Sequence, residues 1–210
     1  MRHLQPNLLD YLQEKKKYGQ TSWPFKTHSI QTFAYSNEIF TPNQCKTIIQ
    51  IGKNAILEKA LVSNNGGSSG ETIRKSNTSW LSPSDGNEWI FQRLTDSAIS
   101  LNERFFNFDL FGFAEGIQFT EYESPGGKYE PHVDCMLDGK IRKLSISVQL
   151  SEENDYEGGD VFCNYGKETV MPRTQGTMLA FPSYALHGVK PVTKGTRYSL
   201  VAWITGPQFK

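Results

Sequence analysis

From Leu110 onward the chain is a succession of short runs rich in β-branched and aromatic residues, separated by Pro-Gly, Asp-Gly, Gly-Gly and Lys-Gly pairs. Such pairs break helices and supply turn dihedrals, so this region has no room for a long helix and reads as strands. The predicted strands are 116–123, 129–134, 143–150, 160–164, 169–171, 177–181, 188–191 and 196–205. About eight strands this short bury their apolar faces only by closing on one another, which predicts a double-stranded β-helix, or jelly roll, of cupin-like type.

The preceding residues carry helical periodicity. Thr41-Pro42-Asn43-Gln44 is a helix start, with Thr41 as cap, Pro42 in the first turn and Gln44 able to reach back. Ile48, Ile49, Ile51, Ala55 and Ile56 follow as its apolar face. A second helix is predicted over 87–106, with Trp89, Ile90, Leu94, Ile99 and Leu101 buried on one side. Leu4, Leu8, Leu9 and Leu12 suggest a short opening helix, and the SNNGGSSGE stretch at 63–71 reads as a mobile loop, either a lid or a passive surface loop. The expected class is therefore mainly β with flanking α-helices. One domain is expected over 1–210, with helical support to about 107 and the jelly-roll core over about 110–206.

Lysine plus arginine and aspartate plus glutamate number 22 each, so no global positive field gathers phosphates and a nucleic-acid partner is disfavoured. The opening residues lack a signal-peptide apolar core, and no stretch approaches the ~18 apolar residues of a membrane span. Cys45, Cys135 and Cys163 are odd in number and far apart, which suits reduced thiols and a cytoplasmic setting.

The chemistry centres on His132-Val133-Asp134. Alternate residues of a strand share a face, so this imidazole and carboxylate can grip one ion. His187 is the other histidine of the β region, and two histidines with one carboxylate form the facial triad of non-haem Fe(II) oxygenases. Taken alone, the HxD is more readily a surface accident and His187 a satisfied turn histidine. Arg197 follows ten positions after His187, in a run that reads as strand, Lys-Gly turn, strand; such a hairpin would return its guanidinium toward the metal end. A buried guanidinium needs a carboxylate, and the distal carboxylate of 2-oxoglutarate would supply one through two parallel hydrogen bonds. The competing reading is an exposed strand arginine paired with a surface acid.

Over roughly 34–205 the sequence resembles the prolyl 4-hydroxylase branch of the 2-oxoglutarate/Fe(II) dioxygenases. The resemblance is carried by Arg74 and Ser76 with the following Trp80-Leu81, by Glu115 and Gln118, by Tyr122, and by KYEPHVD ending at Asp134. It continues through RKLSISVQLS from Arg142, the EGGD turn at 157–160 and HGVKPVTKGTRYSLVAWI from His187. It implies that His132, Asp134 and His187 bind iron, and that Tyr122 and Arg197 hold 2-oxoglutarate. It places Arg74, Glu115, Tyr129, Arg142 and Trp203 along a substrate channel. Two departures stand out. Arg197 occupies a position that is lysine in collagen-type and algal members but arginine in oxygen-sensing prolyl hydroxylases, and Gln149 replaces the tyrosine of a Tyr-Leu-Asn run.

By themselves Tyr122, Tyr129 and Trp203 also fit half-buried strand aromatics, and Arg74 and Glu115 fit solvated charges. What the resemblance implies is a hydroxylase using Fe(II), 2-oxoglutarate and O2, with ascorbate a candidate reductant, that turns over 2-oxoglutarate to succinate and CO2. The expected substrate is proline in a peptide or protein. Rival readings are a free amino-acid or small-molecule hydroxylase, a nucleic-acid demethylase and a non-catalytic jelly-roll binding module. The demethylase would be expected to show a further arginine in the final strand and a basic surface, and after Arg197 only Lys210 is basic.

Overall fold

The computed structural model describes residues 31–55, 57–60, 73–84, 86–135 and 140–208. The opening helix and the 63–71 loop lie outside the described residues, as does Ile56. Along the chain the elements are β1 (Ala34–Ser36), α1 (Pro42–Asn54), β2 (Glu58–Lys59), β3 (Arg74–Lys75), β4 (Asn77–Leu81) and α2 (Glu88–Leu101). A π-helical turn, Asn102–Phe106, extends α2. The β region follows as β5 (Gly112–Phe113), β6 (Ile117–Glu123), β7 (Gly127–His132), β8 (Arg142–Gln149) and β9 (Tyr156–Gly158). It ends with β10 (Val161–Asn164), β11 (Glu168–Val170), β12 (Met178–Pro182) and β13 (Leu186–Thr205).

These strands make the predicted jelly roll. One sheet runs β1-β12-β8-β13-β6-β4-β2 with β5 against the end of β13, and the other joins β3, β7, β13, β10, β11 and β9. All pairings are antiparallel, and β13 belongs to both sheets. Its first half pairs β7 and β10, and its second half pairs β6 and β8. The expected hairpin at Lys194-Gly195 is therefore not formed. Gly195 adopts φ +70°, the conformation a turn would use, but it stays paired to Tyr156 of β9 and bends the strand from one sheet into the other. An added Cβ there would lie 2.1 Å from the Asp155 carbonyl oxygen, so glycine is required by space as well as by dihedral.

The two helices cover the outer face of the larger sheet. Thr41 and Gln44 form the expected capping box. Ile48 of α1 and Ile90, Leu94, Ala98 and Leu101 of α2 join Leu144, Ile146, Val148, Leu200 and Ala202 in the main core. Ile99, expected in that stripe, is 50% exposed. It follows Ala98, which holds the buried position, and a one-residue step rotates about 100° around a helix of 3.6 residues per turn. The short strands β1, β2, β3, β5 and β9, of two or three residues, and β4 were not legible as strands. Partners distant in sequence define them. Among the described residues no helix is long and apolar enough to cross a membrane.

α1 sits on the sheet through Gly52, where an added Cβ would fall 2.3 Å from the ring of the buried Phe119. That ring is stacked on Tyr198 at 5.9 Å and has little freedom to retreat. Gly52→Ala should therefore destabilise the fold by about 1–3 kcal/mol through overpacking, even though alanine is the better helix former by ~1 kcal/mol. Urea denaturation monitored by tryptophan fluorescence checks this; a variant as stable as the parent would show that α1 can shift off the sheet.

Candidate metal and co-substrate site

Cross-strand register creates the metal-ligand cluster. His187, near the start of β13, lies opposite His132, the last residue of β7. The chain then leaves the sheet, so Asp134 is not a strand residue as expected, but it still turns inward. The backbone N–H groups of Asp134 and Cys135 both donate to the Ser183 carbonyl at 2.9 Å, clamping this segment to the end of β12. The Nε2 of His132 lies 3.6 Å from one carboxylate oxygen of Asp134, and the Nε2 of His187 lies 3.3 Å from the other. One ligand atom from each residue falls within 4.8 Å of the others.

Both imidazoles are set as ligands. His132 Nδ1 contacts the Glu130 carbonyl at 2.8 Å and His187 Nδ1 the Ala185 carbonyl at 2.9 Å. A carbonyl can only accept, so each Nδ1 carries the proton and each Nε2 presents a lone pair to the cluster. Tyr129 stacks on His132 at 3.5 Å and Phe181 packs on His187 at 4.5 Å, which fixes ring orientation. Asp134 is held by the Ser145 hydroxyl, 2.8 Å from its Oδ2, with Ser145 in turn 2.9 Å from the Ser183 hydroxyl.

The electrostatics match a cation-binding site. Burial by itself would raise the Asp134 carboxyl, but His187 and His132 outweigh it and hold Asp134 well below the usual carboxylate range. Burial would lower His187, and the neighbouring Asp134 charge more than reverses this, raising it above the ordinary histidine value. Two imidazole nitrogens and one carboxylate oxygen, open on the cavity side, suit Fe(II).

The cluster opens into a cavity of about 190 Å³ that all ten residues singled out in the sequence line. Arg197 and Tyr122 are at its buried end. Arg197 is 1% exposed, and among the described residues its hydrogen-bond partners are neutral. Its Nε and Nη2 donate to Gln149 Oε1 at 3.1 and 2.8 Å, and its Nη1 donates to the Ser199 hydroxyl at 3.4 Å. Its guanidinium carbon lies 5.5 Å from the centre of the Tyr122 ring. The surface ion pair of the competing reading is thus absent among the described residues, and a buried cation lines the cavity.

At the other end Arg142 lies 3.9 Å over the Trp203 ring and bonds Glu115 through both Nε and Nη2. Arg74 lies 4.6 Å over the Tyr129 ring and donates to Gln118 Oε1 at 2.8 Å. Trp80 adds a second indole, 6.1 Å from that of Trp203, and the Trp203 N–H is buried without a hydrogen-bond partner among the described residues. Ser145, Ser147 and Ser199 were missed in the sequence. For Ser145 and Ser147 the signal was the alternation of β8, where Ser145, Ser147 and Gln149 interleave with Leu144, Ile146 and Val148 although every one of these residues is buried.

Comparison with known proteins agrees with this geometry. Residues 117–205 match the family model of the 2OG-Fe(II) oxygenase superfamily. A PKHD-type hydroxylase of Picosynechococcus sp. is 39% identical over 88 residues, 41% of this chain and 40% of that protein. One from Idiomarina loihiensis is 36% identical over 81 residues, 38% of this chain and 37% of that protein. The chain thus spans about two fifths of the length of the curated relatives it matches.

Among solved structures, a Pseudomonas putida prolyl-4-hydroxylase superimposes with TM-score 0.67 at 20% identity, covering 84% of this chain and 93% of that one. A Trichoplax adhaerens prolyl hydroxylase, solved with a peptide fragment of the hypoxia inducible factor oxygen degradation domain, gives 0.66 at 19% identity, covering 95% and 90%. Over residues 117–205 the chain is thus similar to the 2OG-Fe(II) oxygenase superfamily, and its fold is like that of the prolyl 4-hydroxylases.

His132→Ala and Asp134→Ala should each abolish both iron retention on desalting and succinate release. Near-normal turnover with iron present in either variant would remove that residue from the ligand set. Ser145→Ala should leave the fold intact but weaken Fe(II) binding about 10- to 100-fold, the usual cost of losing a group that orients a ligand. A competition titration against a chromophoric chelator reads this, and unchanged affinity would mean that the backbone clamp alone orients Asp134.

Proposed function

We propose that this chain is an Fe(II)- and 2-oxoglutarate-dependent hydroxylase acting on proline within an extended peptide or protein. The observation that carries the reading is Arg197: a buried guanidinium with neutral partners, in the same cavity as a His-Asp-His cluster. Such a charge is stabilised by an incoming carboxylate. Fe(II) bound with 2-oxoglutarate and O2 supplies the oxidation that hydroxylates an aliphatic C–H bond, yielding succinate and CO2.

The chain's own residues supply position. His132, Asp134 and His187 hold the metal on one face and leave the cavity side open. Arg197 takes the distal carboxylate of 2-oxoglutarate, with the Tyr122 hydroxyl as second donor. Phe181, Val161 and Val189 line the cavity between these ends with apolar surface that limits water. Trp203, Trp80 and Tyr129 offer flat apolar walls to a prolyl ring, and the unpartnered Trp203 N–H can donate to a backbone carbonyl. A proline-containing segment is already extended, so docking costs it little backbone entropy.

A free amino acid is the second reading, because Arg142 and Glu115 offer one charge of each sign. They bond to each other, however, and so are not held apart for a zwitterion. A binding module has no use for the triad beside a buried arginine, and no basic row beyond Arg197 on β13 supports a nucleic-acid substrate.

Adding 2-oxoglutarate to the anaerobic Fe(II) protein should give the weak visible charge-transfer band of the chelate; a binding module gives none. Succinate release, with ascorbate present, is then compared across proline-rich peptides, free amino acids and methylated oligonucleotides. Peptides should stimulate it above the uncoupled background, and Trp203→Ala should raise the peptide KM while leaving 2-oxoglutarate affinity nearly unchanged. Stimulation by a free amino acid or an oligonucleotide, but not by peptides, would overturn the substrate assignment.

A further inference from the structure

Resting on the reading of Arg197 as the co-substrate anchor, we infer that Gln149 is the positioning residue that gives this anchor its geometry and keeps its charge available. Gln149 is 2% exposed and sits on β8 directly opposite Ser199 of β13. Its side-chain oxygen accepts from both Nε and Nη2 of Arg197, at 3.1 and 2.8 Å. Those two N–H groups form one side edge of the planar guanidinium.

The side edge is one of the two forks by which arginine grips a carboxylate, so Gln149 removes it from competition. Of the five N–H groups, Ser199 takes a third, at 3.4 Å. One N–H on each terminal nitrogen remains, the pair that receives both oxygens of a carboxylate end-on. The carboxamide also has the right charge. It satisfies two buried donors, which would otherwise be costly, without neutralising the cation. A glutamate of the same shape would form a closed ion pair with Arg197 and repel an incoming dicarboxylate. Tyr122, on the neighbouring strand β6 opposite Arg197, closes the other side with its ring face. Neutral partners on both flanks leave the cavity as the direction from which a negative charge can satisfy the guanidinium. Gln149 thus determines selectivity for a 2-oxo acid with a distal carboxylate over one without.

The test compares 2-oxoglutarate with 2-oxopentanoate, which has the same chain length and chelating end but no distal carboxylate. Dissociation constants for both are read from the charge-transfer band of the anaerobic Fe(II) protein, with iron content and Tm recorded for each variant. The parent should bind 2-oxoglutarate far more tightly. Gln149→Glu should raise its Kd about 30-fold or more, the scale of a compromised buried charge pair, and leave the 2-oxopentanoate Kd near the parent value. Gln149→Leu should lower the selectivity ratio by a smaller factor, since the guanidinium then keeps its charge but loses its orientation.

A ratio unchanged in Gln149→Glu overturns the inference, and so does an equal loss of both 2-oxo acids, which would mark Gln149 as merely structural. If the parent itself fails to distinguish the two compounds, the reading of Arg197 falls as well; discrimination that survives in Gln149→Glu removes only the role given to Gln149.

Discussion

One strand holds this molecule together chemically as well as structurally. β13 runs through both sheets, so its first half places His187 opposite His132 while its second half places Arg197 opposite Tyr122. The bend at Gly195 lets a single stretch of backbone serve both sheets. The spacing between metal cluster and guanidinium is then fixed by one continuous strand rather than by a loop. Rigid elements hold a site to tighter tolerances than loops do, and the chemistry proposed here needs a co-substrate gripped at two ends.

The interior between the sheets is an unusual place for polar groups. On β8 the side chains toward the helices are Leu144, Ile146 and Val148, all in the main core, whereas Ser145 and Gln149 on the other face each bond a functional residue. Burying Asp134 and Arg197 in the same interior is costly unless each is matched. The histidines and Ser145 match Asp134. Arg197 has only neutral partners among the described residues, and this asymmetry distinguishes a cavity built for a ligand from a structural ion-pair network.

Legibility in the sequence followed the range of the interactions involved. The capping box at Thr41, the apolar stripe from Ile90 and the β-rich grammar after Leu110 are local, and they gave two helices and the jelly-roll class. His132 and Asp134 were readable because two positions in a strand share a face, although Asp134 reaches the site only through the Ser183 clamp beyond the strand end. Lys194-Gly195 misled because positive φ at glycine serves a bend as well as a turn, and only pairing with β9 and β6 decides between them. The role of Ser145 was hidden for a related reason. A serine in a strand carries no sign of its partner, and Asp134 is eleven residues away.

The same distinction separates the centre of the cavity from its rim. The triad and the arginine come from β7, β13 and the clamp between them, near the middle of the assembly. The cavity's outer wall comes from its margins: Arg74 from a two-residue strand paired with β7, Glu115 from the link between β5 and β6, and Trp80 from β4. Marginal segments owe their placement to tertiary partners and tolerate change at little cost to the core. A fold of this kind can keep its oxidising centre constant while its rim is rebuilt for different substrates. In this chain the rim pairs two indoles with two arginines lying over aromatic rings, a cation-bordered surface against which the peptide proposed above would lie.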